Sequence, residues 1–279
     1  MIAHAAETAF MKLAKRFVVT PHKPVRLNDF DPDDTAGFEK DDKAHTRLEK
    51  NVSRMEDLQY RLYAEGRRAL LIVLQGMDAG GKDGTVRHVM SGLNPQGCRV
   101  TSFKEPSAEE AGHDFLWRIH KAMPARGEIG IFNRSHYEDV LIVRVHQLVP
   151  KSVWSARYDQ INAFEKLMGE NGVTILKFFL HISKHEQKQR LEERLKDPNR
   201  NWKVNPEDFK ERRRWDDYMK AYQTALSRCS TSASPWFVIP SNKKWFRNLA
   251  VSQIIVETLE RMNPKFPKPS FDLSRIKVK

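Results

Sequence analysis

Two rhythms of hydrophobic and polar residues alternate along the chain. Five short β-like runs, Leu70–Leu74, Cys98–Phe103, Glu128–Phe132, Val173–Ile182 and Trp236–Ile239, read as β-strands. The run Leu70–Leu74 has no polar interruption, as expected of a strand buried on both faces. Stretches with helical spacing separate the runs. In 44–65 the apolar positions are Leu48, Val52, Met55, Leu58 and Leu62, and Gly66 follows as a stop. Further helices are predicted over 107–122, 136–147, 152–170 and 243–262. Strands that alternate with helices give an α/β fold, with a parallel sheet covered by helices on both faces. Residues 184–228 break the rhythm. They read as two charged helices around Asp197-Pro-Asn-Arg-Asn, with thirteen Lys/Arg against nine Asp/Glu, and lie between two predicted strands as a lid would. Pro21, Pro24 and Pro32 interrupt the first part of the chain. The predicted organisation is an extension over 1–43, one α/β domain over 44–265 with a helical lid at 184–228, and a tail over 266–279.

Candidate chemistry gathers where strands end. The first run passes into Gly76-Met-Asp78-Ala79-Gly80-Gly81-Lys82-Asp83-Gly84-Thr85, where a new helix begins. Glycines let the backbone approach a phosphate, the first N–H groups of the helix point at it, and Lys82 adds a positive charge. The spacing from Gly76 to Lys82 fits a phosphate loop, but Asp83 stands where that loop carries Ser or Thr. Thr85 is the nearest substitute hydroxyl. Bound phosphates repel the carboxylate of Asp78 unless a metal ion or a proton lies between, so Asp78 is a candidate magnesium residue, directly or through water, or a group that orients an attacking phosphate oxygen. The plainer alternative is a turn residue capping its own backbone.

The third run ends in Asn133-Arg134-Ser135-His136-Tyr137-Glu138. A carboxylate is expected there to hold magnesium. Asn133 can orient a metal-bound water but brings no charge, while Arg134 can pair two bonds to a phosphate. Ser135 with Glu138 also fits a helix-capping box. In the lid, Arg190 and Arg194 share a helix face, followed by Lys203 and Arg212-Arg213-Arg214. Guanidinium groups closing over a transferring phosphoryl group stabilise its charge.

Composition narrows the class. The 279 residues are 40% hydrophobic and 30% charged, a folded rather than disordered composition. A chain of this length buries roughly 70–75% of its unfolded surface. No apolar run approaches the ~18 residues of a membrane span, and no secretory signal pattern opens the chain, so a cytoplasmic protein is expected. Cys98 and Cys229 are too few for a disulfide framework. The ten His show no metal-ligand spacing: His185-Glu186 has Gln189 where a zinc helix needs His. The net charge of +12 favours a polyanionic partner: nucleic acid, an anionic membrane or a polyphosphate. Trp202, Phe209, Trp215, Tyr218 and Tyr222 among the basic helices fit base stacking, but their near-helical spacing favours packing.

Taken together, the phosphate-loop string, Phe115-Leu-Trp-Arg118-Ile-His, Gly130-Ile-Phe-Asn133-Arg134-Ser-His-Tyr-Glu138 and Arg190-Leu-Glu-Glu-Arg194-Leu resemble the polyphosphate kinase 2 family, from about residue 25 to 265. The resemblance implies a P-loop kinase-like fold with a helical lid. It implies Mg2+-dependent, reversible phosphoryl transfer between inorganic polyphosphate and nucleotides, AMP to ADP and ADP to ATP. Asp78 and Lys82 would handle the accepting and transferring phosphates, Asn133, Arg134 and Glu138 the second motif, and Arg194 would reach down from the lid. Many members carry Asp in place of Asn133. The string through Glu138-Asp139-Val140 resembles the subgroup accepting both AMP and ADP. Gly76, Ala79, Gly80, Gly81, Asp83, Gly84 and Thr85 would cradle phosphates. A positive track for the polymer is expected from Lys104, Arg118, Lys121, Arg126, Lys203 and Arg212 to Arg214. The expected partners are polyphosphate, adenine nucleotides with guanine as the second choice, and further copies of the chain, with no nucleic acid and no membrane. Two other readings remain: an ATP-dependent kinase of a small metabolite, and a nucleic-acid or nucleotide-binding module.

Overall fold

The run after Gly66 forms β1 (Ala69–Gln75), buried at every position. It is the middle strand of a five-stranded sheet, shown here as a computed structural model that describes residues 13–21 and 23–276. The other strands are β2 (Cys98–Ser102), β3 (Ile129–Asn133), β4 (Val173–His181) and β5 (Trp236–Pro240). Their order is β2-β3-β1-β4-β5, and every pairing is parallel.

Alternation along β1 supplies both faces. Leu70, Ile72 and Leu74 enter one apolar layer, and Leu71 and Val73 the other. The first layer is closed by α1 (Asp42–Glu65), α2 (Lys82–Val89) and α8 (Lys244–Met262), through Met55, Leu62, Val89, Leu249 and Ile254. The second is closed by α3 (Trp117–Ala122), α4 (Lys151–Glu170) and α7 (Trp215–Cys229), through Ile119, Tyr158, Ile161, Tyr222 and Leu226. α1 begins where the Asp41 side chain accepts from Ala44 N and ends at Gly66, whose φ of 60° is left-handed.

β4 carries a polar residue that its apolar run conceals. Lys177 is fully buried; its Nζ pairs with Glu165 of α4 and donates to Tyr137 Oη at 3.0 Å and Cys229 O at 2.7 Å. Glu165 also accepts from Tyr137 Oη and bonds His136 Nε2. Burial would raise the Glu165 carboxyl, but Lys177 and His136 outweigh it and hold the carboxyl below its ordinary range. The network anchors the turn after β3 to the sheet and to α4.

Several elements depart from the sequence expectations. Residues 184–228 are not two helices but three: α5 (Lys184–Lys196), α6 (Pro206–Arg213) and α7. α7 is a core helix, because Trp215, Tyr218 and Tyr222 bury one face. Only the segment up to Arg214 overhangs the sheet edge. The helix predicted at 136–147 is a 3-10 turn (His136–Val140) and a single helical turn (Ile142–Val145), broken at Leu141. Residues 107–122 split because Gly112 ends the turn Ala108–Ala111 and Asp114 caps a new start by accepting from Leu116 N. The described part of the N-terminal extension packs against the sheet and its helices. Leu13 and Phe17 are buried, Val18 bridges Phe237 and Val19 N donates to Trp236 O at 2.8 Å. Residues 1–12 of the predicted extension and 277–279 of the predicted tail lie outside the described residues. No helix among the described residues is long and apolar enough to cross a membrane.

Candidate active site

Parallel strands bring their carboxyl ends to one edge, where ligands of open α/β sheets bind. The loop after β1 and the turn after β3 meet there, since Leu74 and Asn133 are register partners. The loop leads into the N-terminus of α2, so its backbone N–H groups converge on one place. Ala79 (φ 59°) and Arg134 (φ 63°) adopt left-handed backbone without being glycine, a strain that concentrates at functional sites.

Gly81 has a steric reason to be glycine. Its φ is 106°, and a Cβ there would lie 1.8 Å from Nη1 of Arg247 in α8. Gly81→Ala is therefore expected to cost at least about 1–2 kcal/mol from the backbone alone, plus the displacement of Arg247. Chemical denaturation checks this; unchanged stability would show that the loop adapts freely.

Lys82 is buried, and its Nζ donates to Gly76 O at 2.6 Å and Met77 O at 3.2 Å. Burial lowers its pKa, Asp78 opposes the shift and Arg134 adds to it. Arg134 Nη2 donates to Asp78 Oδ1 at 2.9 Å, tying the turn to the loop. Asn133 Nδ2 donates to Asp83 Oδ1 at 2.8 Å, and Asp83 Oδ2 lies 3.5 Å from Lys203 Nζ. The two departures from the phosphate-loop pattern thus face each other: a carboxylate replaces the hydroxyl, and an amide replaces the carboxylate. Burial would raise the Asp83 carboxyl, but Asn133 and Lys203 turn the net shift downward.

The overhanging segment adds cations from the other side. Arg194 Nη1 pairs with Asp208 Oδ2 at 3.1 Å and donates to Lys203 O. Arg190 is buried and structural: it bonds Glu186, Ala79 O, Ser241 O and Asn242 O, clamping the loop to the end of β5. Between these groups lies a cavity of about 790 Å³, lined by every residue from Asp78 to Gly84 and by Lys104, Asn133, Arg134, Arg194 and Lys203. Its full lining carries ten Lys/Arg against four Asp/Glu, a strongly positive hollow. A second hollow of about 400 Å³ shares Ser102, Phe103 and Lys104 with it and is lined by Arg99, Arg118 and Lys121 on one hand and Glu105, Glu109 and Glu110 on the other. Arg118 donates to Lys104 O at 2.8 Å, and Lys121 Nζ stands 4.0 Å over the Trp117 ring.

Other expected site residues lie outside the cavity. Thr85 is fully buried and its hydroxyl donates to Gly81 O at 3.1 Å, so it is turned into its own helix rather than toward a metal. Gly76 lies against β4, where a Cβ would come 2.8 Å from Leu180 O. Glu138 sits behind the lining. Burial raises its carboxyl, with Arg134 and Lys82 pulling the other way. Arg212 donates to Lys184 O and Gln187 Oε1, joining α6 to α5, and Arg214 donates to Val145 O. Arg126 and Arg213 line neither hollow. The sequence reading missed Lys244, Arg247 and Asn248 of α8, which line the cavity. The available signal was one arginine inside the mostly apolar stretch Phe246–Val256. Among the described residues no group of three or more His, Cys, Asp or Glu side chains is placed to hold a metal ion.

The family model for Polyphosphate kinase 2 (PPK2) matches residues 38–267. The chain belongs to the polyphosphate kinase 2 family. It is 51% identical over 265 residues to an AMP/ADP-polyphosphate phosphotransferase of Meiothermus ruber, an alignment covering 95% of this chain and 99% of the relative. It is 49% identical over 243 residues to an ADP-polyphosphate phosphotransferase of Rhodopseudomonas palustris, covering 83% and 84%. Its structure superposes on the crystal structure of polyphosphate kinase 2 from Arthrobacter aurescens TC1 with a TM-score of 0.90 at 43% identity, covering 94% of each chain. Both motifs that build the cavity, the glycine loop and Asn133-Arg134, lie inside the stretch matched by the polyphosphate kinase 2 family.

Proposed function

We propose that this polyphosphate kinase 2 family member transfers a phosphoryl group between inorganic polyphosphate and nucleotides, converting AMP to ADP and ADP to ATP reversibly with Mg2+. The carrying observation is the phosphate loop opening into a cavity with ten Lys/Arg against four Asp/Glu; a second hollow along β2, with four Lys/Arg against three Glu, adjoins it. A terminal phosphate oxygen of the nucleotide attacks the end phosphorus of the polymer. One P–O bond forms, the bond to the penultimate phosphate breaks, and the polymer leaves one unit shorter with the electron pair on its new terminal oxygen. Such a reaction needs alignment and charge neutralisation more than covalent chemistry. Lys82 and Arg134 supply fixed positive charge at the loop, Asp78 orients Arg134, and Arg194 and Lys203 bring charge from the overhanging segment.

Asp78, Asp83 and Asn133 offer the hard oxygen donors that suit Mg2+, which ordinarily binds through one or two carboxylates, phosphate oxygens and water. Asp78 would hold it, with Asn133 orienting a bound water, and the ion would neutralise phosphate charge. A reaction on nucleotides with Mg2+ fits a cytoplasmic setting. The name of the Meiothermus ruber relative supports both AMP and ADP as acceptors. A GDP-polyphosphate phosphotransferase name on a Corynebacterium glutamicum relative, 31% identical over 233 residues, supports including GDP.

The test offers AMP, ADP and GDP separately with polyphosphate and Mg2+ and follows products by chromatography. ADP from AMP and ATP from ADP are expected; no product from any acceptor would refute the proposal. Raising salt is expected to weaken polyphosphate binding more than nucleotide binding, because the longer anion engages more surface cations. Titrations at two ionic strengths check this, and equal salt sensitivity would remove the second hollow from the polymer's path.

A further inference from the structure

Arg247 is the buried cation that the proposed reaction leaves without a task. It is 2% exposed in the first turn of α8. Its Nε and Nη2 donate to Oδ1 of the adjacent Asn248 at 3.1 and 2.8 Å, and no carboxylate among the described residues pairs with it. The charge acting on it most is another guanidinium, that of Arg190. Burial, with Arg190, pushes its pKa down to about 10. Arg190 differs, because its own guanidinium is paired with Glu186 and held by three carbonyls.

An unpaired buried charge is unfavourable unless something completes it. What faces Arg247 is the phosphate loop. A Cβ on Gly81 would lie 1.8 Å from its Nη1, and one on Gly84 3.1 Å from its Nη2. Both glycines, Lys82 and Arg247 itself line the same cavity. The loop therefore admits a guanidinium from α8 beside the converging N–H groups of α2. The fork of an arginine pairs with two phosphate oxygens at once, which neither Lys82 nor a backbone N–H can do.

We propose that Arg247 is a substrate-contacting residue that grips the phosphate seated in the loop; this rests on the phosphotransferase reading for which phosphate that is. Without ligand the side chain is a liability to the fold, and with ligand an asset. The two states thus respond to its removal with opposite signs. Arg247→Met is expected to leave the free protein as stable or more stable in thermal melting. It is expected to erase most of the melting shift produced by inorganic tripolyphosphate and to raise the KM for polyphosphate about tenfold or more, the loss of a charge-assisted pair. Arg247→Lys, which keeps charge but loses the fork, should lie between.

A structural arginine would behave in the opposite way: Arg247→Met would melt earlier and keep the tripolyphosphate shift and KM, which would overturn the proposal. If Arg247→Met does not fold, Arg247→Lys decides: a raised KM supports the grip and an unchanged KM overturns it. If the parent protein transfers no phosphoryl group while its tripolyphosphate shift still depends on Arg247, the anion contact stands and the kinase reading falls.

Discussion

Lys82→Ala is expected to lower phosphoryl transfer from polyphosphate by about 10²–10³-fold, the range for removing one preorganised charge-stabilising donor, without weakening the fold. The two halves follow from one geometry. Lys82 Nζ is buried at the base of the cavity, where it donates to Gly76 O and Met77 O. Burial lowers its pKa, with Asp78 opposing, so the ammonium adds little to the stability of the ligand-free protein. With phosphate present it becomes the point charge on the transferring group. Steady-state kinetics beside a thermal melt separate these effects. A parent-like rate, or a rate loss that merely tracks a lower melting temperature, would contradict the assignment.

Lys177→Met is expected to do the reverse, destabilising the fold by about 3–5 kcal/mol, the range for breaking a buried ion pair. Methionine fills similar space, but Glu165 is left buried beside His136 and Tyr137 without its cation. The pH dependence identifies the cause. In the parent, Lys177 and His136 overcome burial and hold the Glu165 carboxyl below its usual value. That contribution is present above the unfolded pKa of about 4.3 and is lost as pH falls through the lower folded value. In the variant, burial of the carboxylate is no longer opposed by Lys177, and its folded pKa moves up. Stability of the variant therefore declines as pH rises through that value, and its deficit against the parent shrinks toward acid pH. Urea denaturation at several pH values reads this, and a deficit independent of pH would mean a packing defect instead.

These two lysines also mark what could be read from the chain. Lys82 was legible because a strand, a glycine turn and a helix start in the right order imply an anion cradle locally. Lys177 was not, because its partners lie on α4 and on the turn after β3, and periodicity carries no information about which distant side chains meet. The sheet was legible because β1 is a short, uninterrupted apolar run buried on both faces and the other strands alternate with helical stretches. The helix over 215–229 reads as lid because its outer face is charged; the near-helical spacing of Trp215, Tyr218 and Tyr222 signals packing, but not that the packing is against the sheet core. Thr85 matched by spacing, but the first turn of α2 points its hydroxyl back at Gly81 O. Asp83 and Asn133 each departed from a pattern when read alone; in space they form one hydrogen bond. Arg247 came from the far end of the chain, and its role depends on a close approach that only Gly81 and Gly84 permit.

The central claim is that phosphate moves from the polymer to the nucleotide through the Lys82 cavity. Phosphorus NMR of one mixture of the protein, ADP, polyphosphate and Mg2+, with Lys82→Ala in parallel, tests it most directly. The account predicts that the γ-phosphate signal of ATP grows as internal polyphosphate signal falls in equal amount, with no growth in the variant beyond a trace. ATP appearing with an equal amount of AMP while polyphosphate stays intact, or no ATP at all, would contradict it.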